Sequence, residues 1–292
     1  MSIPITWPMG ERVAIDARSL WVVRAKPPGD PVLFLPGAGS FGLDYYRVYN
    51  LVEEHCTPIL YDRAGTGWSE DVALPRTLDE VTDEIADLLS ALGVESTVTL
   101  VGHSLGGAYA QHFAQRFPDR VARLVLIDPL HQDWDDFVPP ELQFGAAPAT
   151  DNAQMPELPA EAIDQIRTAM EIAFSEFPAE IGKAALDLHM STERFPVGFL
   201  EGLNAAHLLN ELREGGPLPK SRRNSSARPA QTHSNAFLCP RTFYGSNWRG
   251  VNGSTTVSPK GTHGWSASRL RMHRTRTCPW SAQMSLPPAS RL

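Results

Sequence analysis

The stretch Gly102-His103-Ser104-Leu105-Gly106 follows directly on the apolar run Thr97-Val98-Thr99-Leu100-Val101, and it constrains this chain more than any other part. The β-branched run reads as a buried strand. Beyond the glycines, Ala108, Ala110, His112, Phe113, Ala114 and Phe117 recur at helical spacing until Pro118 ends the pattern. A strand must therefore pass into a helix through a turn of very few residues. Gly102 and Gly106, backed by Gly107 and Ala108, place no bulk where the two backbones meet, so Ser104 is expected at positive φ with its hydroxyl exposed. The first N–H groups of the helix, that of Leu105 among them, then face the place where negative charge would develop.

Two other loops follow short apolar runs. Pro31-Val32-Leu33-Phe34-Leu35 reads as a buried strand opening into Pro36-Gly37-Ala38-Gly39-Ser40-Phe41-Gly42, a loop pliant enough to aim a backbone N–H at a reacting carbonyl; Ala38 is the candidate for that donor. Pro58-Ile59-Leu60-Tyr61 reads as another strand, followed by Asp62-Arg63-Ala64-Gly65-Thr66-Gly67-Trp68-Ser69, in which Asp62 and Arg63 are expected to hydrogen-bond the turn. Arg18 to Ala25 alternates as an early strand, and Leu43 to Glu54 reads as a helix. Thr77-Leu78-Asp79-Glu80 is a capping box opening a helix with Leu78, Val81, Ile85, Leu88, Leu89 and Leu92 on one face, closed by Gly93.

Taken together, Leu35-Pro36-Gly37-Ala38-Gly39, Tyr61 to Ser69, Val101 to Gly107 and Leu124-Val125-Leu126-Ile127-Asp128-Pro129 occur in the order and spacing of the α/β-hydrolase fold, which this chain resembles over about residues 10 to 215. The resemblance implies an α/β architecture: a mostly parallel sheet flanked by helices, with a helical cap inserted after the strand that follows the serine turn. It makes that turn a nucleophile elbow with Ser104 as nucleophile, the Leu105 and Ala38 N–H groups as oxyanion hole, and Ser-Asp/Glu-His catalysis. The implied reaction is hydrolysis of an ester or thioester bond of a small apolar substrate through an acyl-enzyme. Serine at the elbow argues against dehalogenase or epoxide-hydrolase chemistry, which uses aspartate there. Pro36 stands where the family often carries histidine, a departure of little consequence because the donor in that loop is backbone.

On this reading residues 1–129 form the core, 130–210 the cap and 211–292 an atypical segment. After Asp128 the chain is irregular and Pro-rich to about Pro159, then helical from Ala160 to Phe174 and from Ala179 to Met190. Met155, Met170, Phe174, Phe177, Met190, Phe195 and Phe199 are candidates either for an apolar acyl pocket or for core packing. No basic-then-apolar start and no apolar stretch near 18 residues appear, and Cys56, Cys239 and Cys278 lack metal spacing, so a soluble, cytoplasmic protein in a reduced compartment is expected. No metal cluster, dinucleotide fingerprint or phosphate loop is present; the expectation is no metal, no cofactor, and a small-molecule ester-like substrate as partner, without nucleic acid or membrane.

The last quarter breaks the pattern. From Gly216 to Leu292 there are 12 Lys and Arg and no Asp or Glu, whereas residues 1–215 hold 14 basic and all 33 acidic residues. The tail is rich in Ser, Arg, Thr, Pro and Trp without sustained periodicity, and is expected to be irregular or disordered. A basic arm for an acidic partner, an unusual folded lobe, and a tail read out of frame from about Lys220 are the alternatives. Frame displacement accounts for the abrupt change near Pro219. With synonymous codons chosen freely, the frame displaced by minus one over His273 to Ser285 can read Pro-Asp-Pro-His-Val-Pro-Val-Glu-Arg-Pro-Asp-Val, similar to the catalytic-histidine segment of the family.

The tail matters because Ser104 needs a base, and the base needs a carboxylate to hold its tautomer. Family chain order places the acid after the elbow and the histidine last. Asp128, at a strand end, is the candidate acid, its other reading being a turn cap. His233, His263 and His273 are left as bases, with His263 in Gly261-Thr262-His263-Gly264-Trp265 the most suitably set. His103, His112, His131, His189 and His207 read as structural. A frame-shifted tail would leave the chain without its triad histidine and catalytically defective.

Overall fold

The computed structural model describes residues 7–26, 29–140, 143–144 and 155–218. The expectations for residues 219–292, including those for His233, His263, His273, Cys239 and Cys278, lie outside the described residues. Six strands, β1 (Glu11–Ile15), β2 (Arg18–Arg24), β3 (Pro31–Leu35), β4 (Thr57–Tyr61), β5 (Val98–His103) and β6 (Val121–Ile127), form one mixed sheet in the order β1-β2-β4-β3-β5-β6. β1 pairs β2 and β2 pairs β4 antiparallel, whereas β4, β3, β5 and β6 run parallel.

The sheet is covered on both sides, and the alternation of side chains along each strand separates two apolar clusters. Leu20 and Val22, Leu33 and Leu35, Ile59 and Tyr61 join one cluster, while Trp21 and Val23, Phe34, Leu60 join the other. The first is closed by α2 (Leu78–Ala91), α3 (Leu105–Arg116) and α8 (Ala205–Glu214). The second receives Tyr49 of α1 (Tyr46–Val52) and Phe174, Phe177, Ala185 and Leu188 from α5 (Ala160–Phe174), α6 (Ala179–His189) and their connection. Two shorter helices, α4 (Trp134–Phe137) and α7 (Val197–Gly202), complete the described helices. Each fully buried leucine contributes about 2 kcal/mol of transfer free energy. β6 is less covered. Val125 and Ile127 are 38% and 37% exposed, and among the described residues no strand pairs with its outer edge.

Local sequence accounts for the elements that position the site. In α2 the Thr77 hydroxyl accepts from the Glu80 N–H at 3.2 Å and the Glu80 carboxylate accepts from the Thr77 N–H at 2.8 Å. Leu78, Val81, Ile85, Leu88 and Leu89 are buried, Leu92 is half-buried, and Gly93 ends the helix at φ +67°. Glu211 of α8 accepts from the Leu78 N–H at 2.9 Å, so a carboxylate from the end of the described chain sits at the positive end of α2. The single helix expected over 43–54 is instead a 3₁₀ turn, Gly42–Tyr45, followed by α1. The Phe41 N–H bonds the Asp44 carboxylate at 3.0 Å, and Gly42 lies so near Tyr61 that a β-carbon would fall 3.0 Å from its backbone N and O, which tightens the chain there. Cys56 is half-buried and its thiol donates to the Val52 carbonyl at 3.3 Å. No helix among the described residues is long and apolar enough to cross a membrane.

The tightest packing lies where β5 passes into α3. A β-carbon on Gly106 would overlap the Leu35 carbonyl oxygen, and one on Gly102 would lie 2.6 Å from the Gly106 oxygen and 2.7 Å from the Gly107 Cα. On Gly202 of α7 it would meet nothing within 4 Å. Gly106→Ala is therefore expected to lower stability by more than about 2 kcal/mol in urea unfolding, and Gly202→Ala to be neutral or stabilising by up to about 1 kcal/mol. Equal unfolding midpoints for the two variants would contradict close packing at the turn.

Candidate active site

Ser104 sits between β5 and α3 with φ +50° and ψ −120°, a conformation that an L-residue keeps only when its surroundings hold it there. Its backbone is fastened from several sides. The Ser104 N–H donates to the Ile127 carbonyl at 3.2 Å, and the Ser104 carbonyl accepts from Gly107 at 2.9 Å and from Leu130 at 2.8 Å. Pro129 lies against Gly107 so closely that a β-carbon on that glycine would overlap the proline ring. The end of β6 and the turn after it thus brace the serine. Leu105 is the first residue of α3, so its N–H has no carbonyl four residues back to bond.

The loop after β3 is the second wall. A β-carbon on Gly37 would stand 3.2 Å from the Ser104 Cβ and 3.2 Å from His103 Nδ1, which puts this loop in contact with the serine. Arg63, 1% exposed, donates to the carbonyls of Pro36 at 2.7 Å and Gly37 at 3.0 Å, and to Glu201 of α7 through two nitrogens at 2.9 and 2.7 Å. The other Glu201 oxygen accepts from the Gly39 N–H at 2.9 Å. Burial works against the Arg63 charge, but Glu201 outweighs it and the guanidinium stays protonated. Asp62 holds its own turn, accepting from Gly42 at 2.7 Å and Trp68 at 2.8 Å; burial pushes its carboxyl up to about 7 against the pull of those two amides. Arg63 thus reaches beyond the turn in which the sequence places it.

Asp128 follows β6 at φ +43°, a left-handed position that aspartate tolerates better than most residues. It is exposed, lies between the two backbone bonds that Ile127 and Leu130 make to Ser104, and bears electrostatically on His103. His103 is half-buried, its Nδ1 2.9 Å from the Tyr45 hydroxyl. Four other described histidines have carboxylate neighbours. His112 Nε2 lies 2.9 Å from Asp79, His189 Nε2 2.8 Å from Asp44, His131 Nδ1 3.6 Å from Asp133, and His207 Nε2 3.9 Å from Glu211. His263 lies outside the described residues, so the structure brings Ser104, Leu105, Ala38 and Asp128 into one neighbourhood and does not describe the base. Among the described residues no group of three or more His, Cys, Asp or Glu is arranged to hold a metal ion.

A family model described as the alpha/beta hydrolase fold matches residues 30–213, more than half of the chain. The chain belongs to the α/β-hydrolase fold family. Within it, the chain is 31% identical over 103 residues to the cis-3-alkyl-4-alkyloxetan-2-one decarboxylase of Shewanella oneidensis, covering 34% of this chain and 32% of that protein. It is 33% identical over 84 residues to a chloroplast protein of Arabidopsis thaliana named as a candidate methylesterase, covering 28% and 24%. The chain thus spans a third or less of the length of these curated relatives. The crystal structure of Cfl2 from Burkholderia cenocepacia shares the fold with a TM-score of 0.52 at 17% identity, covering 72% of this chain and 76% of that one.

Two partners in this α/β-hydrolase site were not foreseen from sequence. Glu201 lies 138 residues beyond Arg63, on a helix too short to show periodicity, and Tyr45 meets His103 across 58 residues. The apolar cap candidates divide: Phe174 and Phe177 are buried in the second apolar cluster and half-buried Met170 packs against it, whereas Met155, Met190, Phe195 and Phe199 are half-buried.

Burial lowers the His103 pKa below its ordinary value, opposed by the charges of Asp128 and Asp44. The folded state therefore favours the neutral ring, and stability is lost as pH falls below the unfolded value of about 6.5 toward the lower folded value. Measured by urea unfolding from pH 7.5 to 5, His103→Gln should lose less stability on acidification than the parent chain. Parallel pH profiles would show that His103 binds its proton equally in both states.

Proposed function

We propose that this protein is a serine hydrolase cleaving ester or thioester bonds of a small apolar substrate. The observation that carries the reading is the left-handed Ser104 at the start of α3, with the loop of Gly37 and Ala38 packed against it. The Ser104 Oγ adds to the substrate carbonyl carbon while its proton passes to a histidine, for which His263 is the candidate. The carbonyl oxygen takes up the negative charge and is held by the Leu105 and Ala38 N–H groups. Collapse of this intermediate expels the alcohol or thiol, which takes the proton from the histidine; water then repeats the sequence on the acyl-serine and frees the acid. Asp128 orients the histidine and stabilises its cationic form. The likeness to a protein named as a candidate methylesterase supports ester chemistry, and the apolar cap residues Met155, Met190, Phe195 and Phe199, half-buried, are the candidates to line an apolar acyl pocket.

In hydrolysis of p-nitrophenyl acetate, Ser104→Ala should lower kcat by on the order of 10⁶, to background. Asp128→Asn, which keeps a side chain suited to positive φ, should lower it by about 10⁴ without loss of folding. Turnover that survives Ser104→Ala would remove this serine from the mechanism.

The charge break at Gly216 favours a second reading, in which the tail is out of frame and the chain lacks its histidine. Sequencing the coding DNA across codons 214 to 224 decides it. This second reading predicts a base inserted or lost relative to close relatives, and an intact frame overturns it.

A further inference from the structure

The peptide groups on either side of Ala38 are both tied to charged side chains from distant parts of the chain. The Gly37 carbonyl accepts from Arg63 at 3.0 Å, and because a trans peptide sets its N–H opposite its C=O, the Ala38 N–H is turned away from the guanidinium. The next peptide presents the Gly39 N–H to Glu201 at 2.9 Å. Among the described residues the Ala38 N–H itself has no backbone acceptor. The two side chains are not independent, since Arg63 and Glu201 are joined through two guanidinium nitrogens and are 1% and 4% exposed. The Arg63 guanidinium also stacks over Tyr109 of α3, 5.3 Å from the ring centroid.

Glu201 belongs to α7, and α7 touches the same loop a second time. A β-carbon on Gly198 would lie 3.1 Å from the Gly39 Cα, so cap helix and loop meet backbone to backbone. From these contacts we infer that Arg63 and Glu201 are a positioning pair that sets the direction of the Ala38 N–H and makes it depend on the seating of α7. The inference rests on the reading of Ala38 as an oxyanion donor. Neither side chain touches the reacting atoms. Arg63 holds the Pro36 and Gly37 carbonyls, the latter shared with the Ser40 N–H, and Glu201 fixes Arg63 and Gly39 at once. When α7 shifts, the carboxylate moves with it: the Gly39 N–H loses its acceptor and Arg63 loses the partner that fixes it, which leaves the Gly37 carbonyl to the local Ser40 N–H at 3.2 Å.

The test compares the full-length protein with Glu201→Gln and Gly198→Ala, the latter leaving both charges in place and pressing on the loop from the cap side. Two readouts are taken: kcat and KM for p-nitrophenyl acetate per folded molecule, and backbone amide exchange across residues 37–40. The pair as a positioning device predicts faster exchange at Gly39 and Ser40 in Glu201→Gln and, in both variants, kcat lower by about tenfold to a hundredfold with KM changed less than about threefold. A purely structural role lowers the melting temperature and leaves kcat per folded molecule unchanged, which would overturn the inference. If Glu201→Gln fails to fold, Gly198→Ala decides by the same split of kcat from KM. Should the parent chain show no turnover dependent on Ser104, the hydrolase reading fails by itself and amide exchange judges the anchoring: unchanged exchange in Glu201→Gln overturns it.

Discussion

The left-handed turn at Ser104 is the constraint on which the rest of the site depends. An L-residue at φ +50° carries a backbone penalty of order 1–3 kcal/mol, and here it is held by three hydrogen bonds from the serine backbone together with glycine contacts that admit no β-carbon. Those holds come from separate parts of the sheet. β3 supplies the Leu35 carbonyl that excludes a side chain at Gly106, and β6 supplies the Ile127 carbonyl and the Leu130 N–H. The serine is thus presented by the parallel sheet as a unit, and changes in strand register would reach it.

Charge organises the layer around that turn. Buried Arg63 and Glu201 lie at the loop of β3, Asp62 closes the next turn, and Arg76 bonds Glu84 at 2.6 Å under the same loops. Replacing either member of a buried pair leaves an uncompensated charge, so such groups fix geometry more strongly than they add net stability. Tyr61, fully buried beside them, has its hydroxyl without a partner among the described residues, and burial pushes its pKa well up, so it stays neutral. The polar groups at this end of the sheet surround the loop that faces Ser104. An open depression lined by Arg24, Pro31, Thr57, Val94 and Ser96 lies at the opposite end, where the parallel strands begin.

Much of the fold was legible because it rests on short-range chemistry. The capping box at Thr77, the positive φ of Gly93, the strand ahead of Gly102 and the helix after it each follow from residues adjacent in sequence. The helices over 160–174 and 179–189 were legible from period alone. The close approach of Gly42, at the start of the 3₁₀ turn, to the Tyr61 backbone was not legible because Tyr61 comes near only after folding. Glu201 escaped for the same reason. An acidic residue on a six-residue helix carries no local mark of its buried partner. Asp128 was singled out by its place at a strand end, and its left-handed φ gives that place a physical content that composition does not reveal.

Chemical labelling of the serine tests the central claim most directly. Treatment of the full-length protein with diisopropyl fluorophosphate, whose phosphorus bonds an activated serine oxygen as fluoride leaves and the hydroxyl proton is given up, followed by peptide mapping by mass spectrometry, reports which serine is the nucleophile. The account predicts one stoichiometric adduct, on Ser104, absent from Ser104→Ala. An unlabelled Ser104 in folded protein, or an adduct on another serine, would contradict it.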